Sequence, residues 1–248
     1  MEKELDKKKV NLLVVLTAIF MMNALLGEMI GGKIFSLAAL LNLSTDIEIN
    51  LSVGVIIWPI VFLLSDIINE YFGVSRVKKL SYLAAILIAY SFLVVFFSTE
   101  APPAEFWLQN NSTDAAGNAF NINYAFSVIF RQSMGIIIGS ITAFLVSQII
   151  DAYTFQYLRK ITGNKNIWIR ATGSTAISQV LDSFLILFIA FYVAGNWTFE
   201  QVLQVGVVQY IYKMTITIIF IPLIYVAHGI IDRYLGVGKK EISTKYNV

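Results

Sequence analysis

Residues 172–195 read TGSTAISQVLDSFLILFIAFYVAG, a run of 24 residues with one charge, Asp182. A stretch this long and apolar is enough to cross a bilayer, which takes about 20 residues. Its middle repeats an earlier segment. Ser147-Gln148-Ile149-Ile150-Asp151 returns 31 residues later as Ser178-Gln179-Val180-Leu181-Asp182. The flanks agree too, with Ala143 or Ser174 four residues before each Ser, and Ala152-Tyr153 or Ser183-Phe184 after each Asp. Amides and carboxylates inside lipid-spanning helices are costly, and those kept there face a substrate path or a polar bundle interior. Two copies on consecutive, antiparallel spans predict a two-sided polar pocket.

The rest of the chain fits that reading. Of 248 residues, 57% are hydrophobic and only 14% charged, and the mean hydropathy is +0.72. A soluble domain is nearer a quarter charged. An all-α integral membrane protein with six transmembrane helices is expected, with spans near 11–31, 50–71, 79–98, 126–157, 172–195 and 204–229. Segment 1–10 reads as an N-terminal tail, 11–232 as one six-helix membrane transport domain, and 233–248 as a C-terminal tail. The first apolar run lacks a small-residue cleavage site and reads as a retained span. With no cysteine, disulfides, thiolate metal sites and cysteine nucleophiles are excluded.

Charge placement sets orientation. Lysines 3, 7, 8 and 9, then Arg76, Lys78 and Lys79, then Arg159, Lys160, Lys165 and Arg170, then Arg233, Lys239, Lys240 and Lys245 put 15 of 18 basic residues on one side. The loops at 99–125 and 196–203 hold none. The positive-inside rule makes the basic side, with both termini, cytoplasmic. The longer of these loops, with Pro102, Pro103 and Phe106-Trp107, reads as an external connector with a short interfacial segment.

Three cations break the pattern. Lys33 and Arg131 sit at outer span ends, where they snorkel to the interface or balance charge as an outer gate. Lys213 lies within span six and needs a carboxylate, carbonyl or water. In span two, Asp66 and Glu70 are four apart on one helix face beside Asn69, and one of them must be protonated or matched by a cation. Pro59 removes a backbone hydrogen bond upstream of them and is expected to loosen the helix there. Counting from the basic flanks at 1.5 Å per residue, Asp151, Asp182 and Asp66 reach about 12, 18 and 15 Å into the membrane. All three are therefore expected at one pocket with Lys213, with Gln148 and Gln179 on the same faces. Tyr153, Phe155, Phe184 and Phe188 are candidates for its flat apolar walls.

Enzyme signatures are missing: no His-Glu-x-x-His, Gly-x-Ser-x-Gly or phosphate-cradling glycine loop occurs. The lone histidine, His228, reads as structural. No catalytic residue, metal, cofactor or nucleic-acid partner is expected. With no ATP-binding element, transport would draw on a coupling ion or proton, or on another subunit. Asp151 with Asp182 as an intramembrane hydrolase pair, and a purely structural scaffold, stay as alternatives.

These residues resemble the queuosine precursor transporter family, also described as vitamin-uptake-like, over nearly all of the membrane portion. The resemblance rests on Asn23 with Lys33; on Trp58-Pro59 with Ser65-Asp66, Glu70 and Gly73; on Arg131; on both Ser-Gln-x-x-Asp segments; and on Tyr210, Lys213 and Pro222. Gln209 stands where some members carry an acid, and Ser147 where Gly is common. The resemblance implies a bacterial inner-membrane importer of a 7-deazaguanine, such as 7-cyano-7-deazaguanine, for queuosine in tRNA. It implies a fold like the substrate-binding subunits of energy-coupling-factor importers, which leaves open a binding subunit driven by a separate ATPase. The substrate-binding set expected is Asn23, Asp66, Glu70, Gln148, Asp151, Gln179, Asp182 and Lys213.

Overall fold

The computed structural model describes residues 2–42, 50–131, 134–163 and 166–236. Lys165, Lys239, Lys240 and Lys245, counted above for orientation, lie outside these. Among the described residues, six helical segments are long and apolar enough to cross a membrane. The first, α1 (Glu2–Ile30), takes in most of the mixed-charge segment 1–10 as its opening turns. A short antiparallel ladder follows, pairing β1 (Ile34–Ser36) with β2 (Asn50–Ser52), and α2 (Leu37–Leu40) follows β1 directly.

Span two departs from the expected kink. Residues 50–57 are strand and a 3-10 turn, and α3 (Trp58–Phe72) opens with Pro59 in its first turn. There the missing N–H costs nothing, because first-turn amides have no helical partner. Pro59 therefore starts the helix instead of loosening it. Gly73, at φ +79°, turns the chain into α4 (Val74–Glu100). Only glycine reaches that region without a steric cost.

The long loop carries α5 (Glu105–Asn110), and α6 (Ile122–Arg131) packs back on α4. Span four, expected over 126–157, divides into α6 and α7 (Ile137–Thr162). α8 (Ile167–Leu187) runs antiparallel along α7 and ends in a π-helical turn over Phe188–Val193. Span six, expected over 204–229, also divides. α9 (Phe199–Ile219) starts from a Thr198–Gln201 capping box, and the chain bends at Phe220 before α10 (Ile221–Leu235). Pro222 sits in the first turn of α10, where it cannot continue the α9 hydrogen-bond ladder. His228 has the structural role expected: Tyr71 lies 2.8 Å from its Nδ1 and donates to Asp232 at 2.6 Å, tying α3 to α10.

The apolar core joins α1, α3, α4, α7 and α10 around Phe20, Val61, Ile68, Ile88, Phe144 and Phe155. One close approach shapes the cavity described below. A Cβ on Gly54 would lie 2.7 Å from the Gly27 carbonyl oxygen and 3.2 Å from Gly31 Cα, both backbone atoms that cannot swing aside. Gly54→Ala should therefore cost about 1–3 kcal/mol, the usual range for overpacking. Thermal unfolding in detergent measures this, and an unchanged midpoint would show that the α1 end yields freely.

Candidate functional site

One cavity of about 390 Å³ lies in the half of the bundle that carries the β1–β2 ladder and the 194–198 turn. Small-molecule sites run roughly 300–1,000 Å³, so this one suits a compact ligand. Its walls are aromatic. Trp58 packs on Phe144 with ring centroids 5.5 Å apart, and Phe191 stacks on Trp197 at 4.5 Å and 29°. The Phe191–Trp197 pair is held by the Trp197 amide donating to the Phe191 carbonyl at 2.9 Å, which the π-helical turn brings into reach.

The polar equipment is sparse and charged. Lys213 of α9 donates from Nζ to Asp182 Oδ2 of α8 at 2.5 Å, with side chains 7% and 14% exposed. Glu28 of α1 accepts a hydrogen bond from the Ser140 hydroxyl and has no cationic partner among the described residues. Gln209 and Ser52 also line the space. Two carboxylates and one ammonium thus face a chamber with aromatic walls. When both carboxylates are ionised it carries one surplus negative charge and suits a ligand edge rich in N–H donors.

The repeated motif builds a reciprocal clasp beneath this cavity. Ser147 of α7 donates to Asp182 of α8 at 3.2 Å, and Ser178 of α8 donates to Asp151 of α7 at 2.9 Å. Antiparallel helices carrying the same Ser and Asp four residues apart pair in this manner by local two-fold symmetry. The symmetry separates the two aspartates. Asp182 sits on the cavity side of the clasp, whereas Asp151 is fully buried on the other side.

The single pocket expected for Asp66, Asp151, Asp182 and Lys213 is therefore two sites. Asp182 and Lys213 line the cavity. Asp66, Glu70, Gln148 and Asp151 form a sealed layer below it, with Ser65 donating to Gln148 Oε1 at 2.8 Å. Glu70 meets Arg170 at 2.6 Å and Arg159 at 3.6 Å, which is the cation that the Asp66–Glu70 spacing called for. Asn69 donates to the Ala152 carbonyl at 2.9 Å and accepts from Gln156 at 2.8 Å. The depths expected for Asp151 and Asp182 already differed by about one helical turn, and with each Ser pairing across to the other helix's Asp that step puts the two aspartates on opposite sides of the clasp.

The other predicted residues fall elsewhere. Gln179 is buried with Oε1 unpartnered and is outside the cavity lining. Asn23 donates to the Ile19 carbonyl of its own helix at 2.8 Å. Lys33 is exposed. Arg131 pairs with Glu100 and donates to Thr99 at 2.7 Å, pinning α6 to α4 away from the cavity. Tyr153, Phe155, Phe184 and Phe188 do not line it. Sequence reasoning missed Glu28, the only charged residue among residues 11–31 and thus the lone carboxylate in the first apolar run. The reasoning applied to Asp66 would have found it.

A solute-sized chamber among membrane helices, polar at its floor and apolar at its walls, is the anatomy of a small-molecule transport protein. The chain belongs to the family described as "Putative vitamin uptake transporter", whose model matches residues 52–227. This is a transporter family and not an enzyme family. The chain is similar to a Bacillus subtilis protein named "Probable queuosine precursor transporter", 26% identical over 181 residues, which is 73% of this chain and 72% of the relative. A Haemophilus influenzae protein of the same name is 26% identical over 200 residues, covering 79% and 76% of the two chains. The Escherichia coli "Queuosine precursor transporter" is 23% identical over 171 residues, covering 67% of each. No solved structure matches the chain.

Proposed function

We propose that this protein imports a queuosine precursor, a 7-deazaguanine such as 7-cyano-7-deazaguanine, across a bacterial inner membrane, with both termini in the cytoplasm. The names of its relatives support the substrate class. The observation that carries the reading to particular residues is the aromatic cavity with one carboxylate, Glu28, unmatched by a cation among the described residues. A guanine-like edge presents adjacent N–H donors, which a carboxylate accepts in pairs, while aromatic faces stack on a flat base. Glu28 and Asp182 read the donor edge, Lys213 holds Asp182 in place, and Trp58, Phe144, Phe191 and Trp197 clamp the ring. The clustering of Arg159, Lys160 and Arg170 at the opposite end of α7 and α8 supports the cytoplasmic assignment of that end.

The test is uptake of labelled 7-cyano-7-deazaguanine, and queuosine in tRNA, in cells that cannot make the precursor. The chain should restore both. Glu28→Gln keeps the shape of the side chain but replaces one acceptor oxygen by a donor. It should weaken binding by about 1.5–3 kcal/mol, the worth of a hydrogen bond to a charged group, or roughly 10- to 150-fold. Unchanged uptake by Glu28→Gln made at normal levels would remove Glu28 from the site.

A further inference from the structure

Below the clasp, three carboxyl groups (Asp66, Glu70 and Asp151) face two guanidiniums, Arg159 and Arg170. Both cations are committed to Glu70 and to nearby carbonyls. Arg170 reaches Glu70 Oε1 at 2.6 Å and the Gly163 carbonyl at 2.7 Å, and Arg159 donates to the Glu70 carbonyl at 3.0 Å. Asp66 of α3 and Asp151 of α7 instead lie within hydrogen-bond reach of each other. Neither forms an ion pair among the described residues. Asp66 Oδ1 and Asp151 Oδ2 are buried without a partner, as is Nε2 of Gln148, whose other amide atom takes the Ser65 hydroxyl next to Asp66. Gln148 is 0% exposed, and Asp66 and Asp151 are 5% and 0%.

A carboxylate has no hydrogen to give, so two in contact hold together only with a proton between them. We infer that Asp66 and Asp151 form a proton-binding site that couples solute uptake to proton entry, an inference that rests on the import reading above. The neighbours permit this balance. Ser65, Asn69 and Glu70 come from α3, Gln148 and Arg159 from α7, and Arg170, Ser174 and Ser178 from α8; His228 and Asp232 of α10 lie beyond them at Tyr71. α1 and α4 bring no buried charge to this layer, since Glu28 lies in the cavity and buried Ser81 turns to its own helix. Lys213 of α9 is held by Asp182 on the other side of the clasp.

With one proton the layer is neutral, two carboxylates against two guanidiniums. Without it, one uncompensated negative charge is left inside a membrane-embedded bundle, which is costly unless water reaches it. Proton release is therefore tied to opening of the layer at its Arg159–Arg170 end. The proton enters as the O–H of one carboxylic acid of the pair, leaves to water on the far side, and accompanies each solute molecule. The clasp connects the two sites: Ser178 holds Asp151, and one turn along α8, Asp182 holds the cavity lysine.

The test uses the full chain in proteoliposomes with the membrane potential clamped and the interior one pH unit more alkaline. Labelled 7-cyano-7-deazaguanine should accumulate about tenfold, the equivalent of one proton across one pH unit. Asp66→Asn and Asp151→Asn should still bind it but only equilibrate it. Accumulation by a sodium gradient at equal pH, or wild-type accumulation by both variants, would overturn the inference. A readout without solute guards against misfolded variants. In the Glu28→Gln background, infrared spectra should show the carbonyl band of a protonated carboxylic acid at neutral pH, lost when Asp66 and Asp151 are both Asn. No such band would also overturn it. The band in the Glu28→Gln chain together with no binding of 7-cyano-7-deazaguanine by the wild-type chain would defeat the import reading alone.

Discussion

Replacing Arg170 by methionine is expected to destabilise the protein by about 3–5 kcal/mol, the cost of removing one partner from a buried ion pair. Arg170 is 1% exposed, one of the largest fully buried side chains, and its guanidinium lies 5.6 Å from the Phe155 ring centroid. Methionine fills much of the volume and keeps apolar contact with Phe155, so the loss reports the charge. Glu70 would keep only Arg159, at 3.6 Å. The companion variant is Arg170→Met with Glu70→Gln. It removes both charges together and should recover most of the loss, since a buried ion pair replaced as a unit is often close to neutral. Unfolding by denaturant in mixed micelles measures both. A single variant that loses under about 1 kcal/mol would show that water reaches this layer and screens it.

The second large effect falls on the cavity floor. Asp182→Ala leaves the Lys213 ammonium, on a residue only 6% exposed, facing Glu28 and the chamber with no direct counter-charge. Lys213→Met leaves Asp182 with the Ser147 hydroxyl alone. Truncating one side of a desolvated charge pair costs about 2–5 kcal/mol, so each single variant should bind a 7-deazaguanine roughly 30-fold less tightly or worse. Asp182→Asn with Lys213→Met should restore the folded yield but not the binding. That split separates a pair that reads ligand from one that only holds α8 to α9. Equal recovery of yield and binding would make the pair structural.

Much of this architecture is legible in the sequence because the bilayer imposes a simple rule. A backbone in hydrocarbon must satisfy its own hydrogen bonds, so long apolar runs become helices. The spans through α1, α3, α4, α7, α8 and α9 follow from that rule. The ends of spans four and six did not, because a hydropathy run alone does not say where a helix breaks. The apolar run extends unbroken through Phe220, where the bend before Pro222 separates α9 from α10, whereas the α6–α7 division follows Arg131-Gln132-Ser133, a polar mark that was read only as the outer end of span four. Pro59 was read as a helix defect, yet it marks a helix start. The same residue does either, according to whether the preceding segment is helical.

The functional residues divide along a similar line. Lys213 was expected to need a carboxylate, a carbonyl or water, and of the three aspartates grouped with it the structure gives it Asp182, at 2.5 Å. Arg170 was counted only as a flanking charge for orientation, and its side chain turns inward to Glu70. Glu28 was overlooked because it stands alone, without a repeated neighbour to draw attention to it.

The repeated Ser-Gln-x-x-Asp shows where sequence information stops. By itself it determined that two consecutive spans carry matching polar faces, which requires those faces to meet or to line a path, because lipid cannot solvate them. Only the tertiary structure decided that the antiparallel helices clasp each other reciprocally, Ser147 to Asp182 and Ser178 to Asp151. That arrangement sends one aspartate up to the cavity and the other down to Asp66. Sequence spacing fixes which residues share a helix face, but it carries no information on how one helix is rotated and shifted against the next. With that register set, the Ser-to-Asp step along each helix, about one helical turn or 5.4 Å, separates a solute site from a sealed, charged layer beneath it.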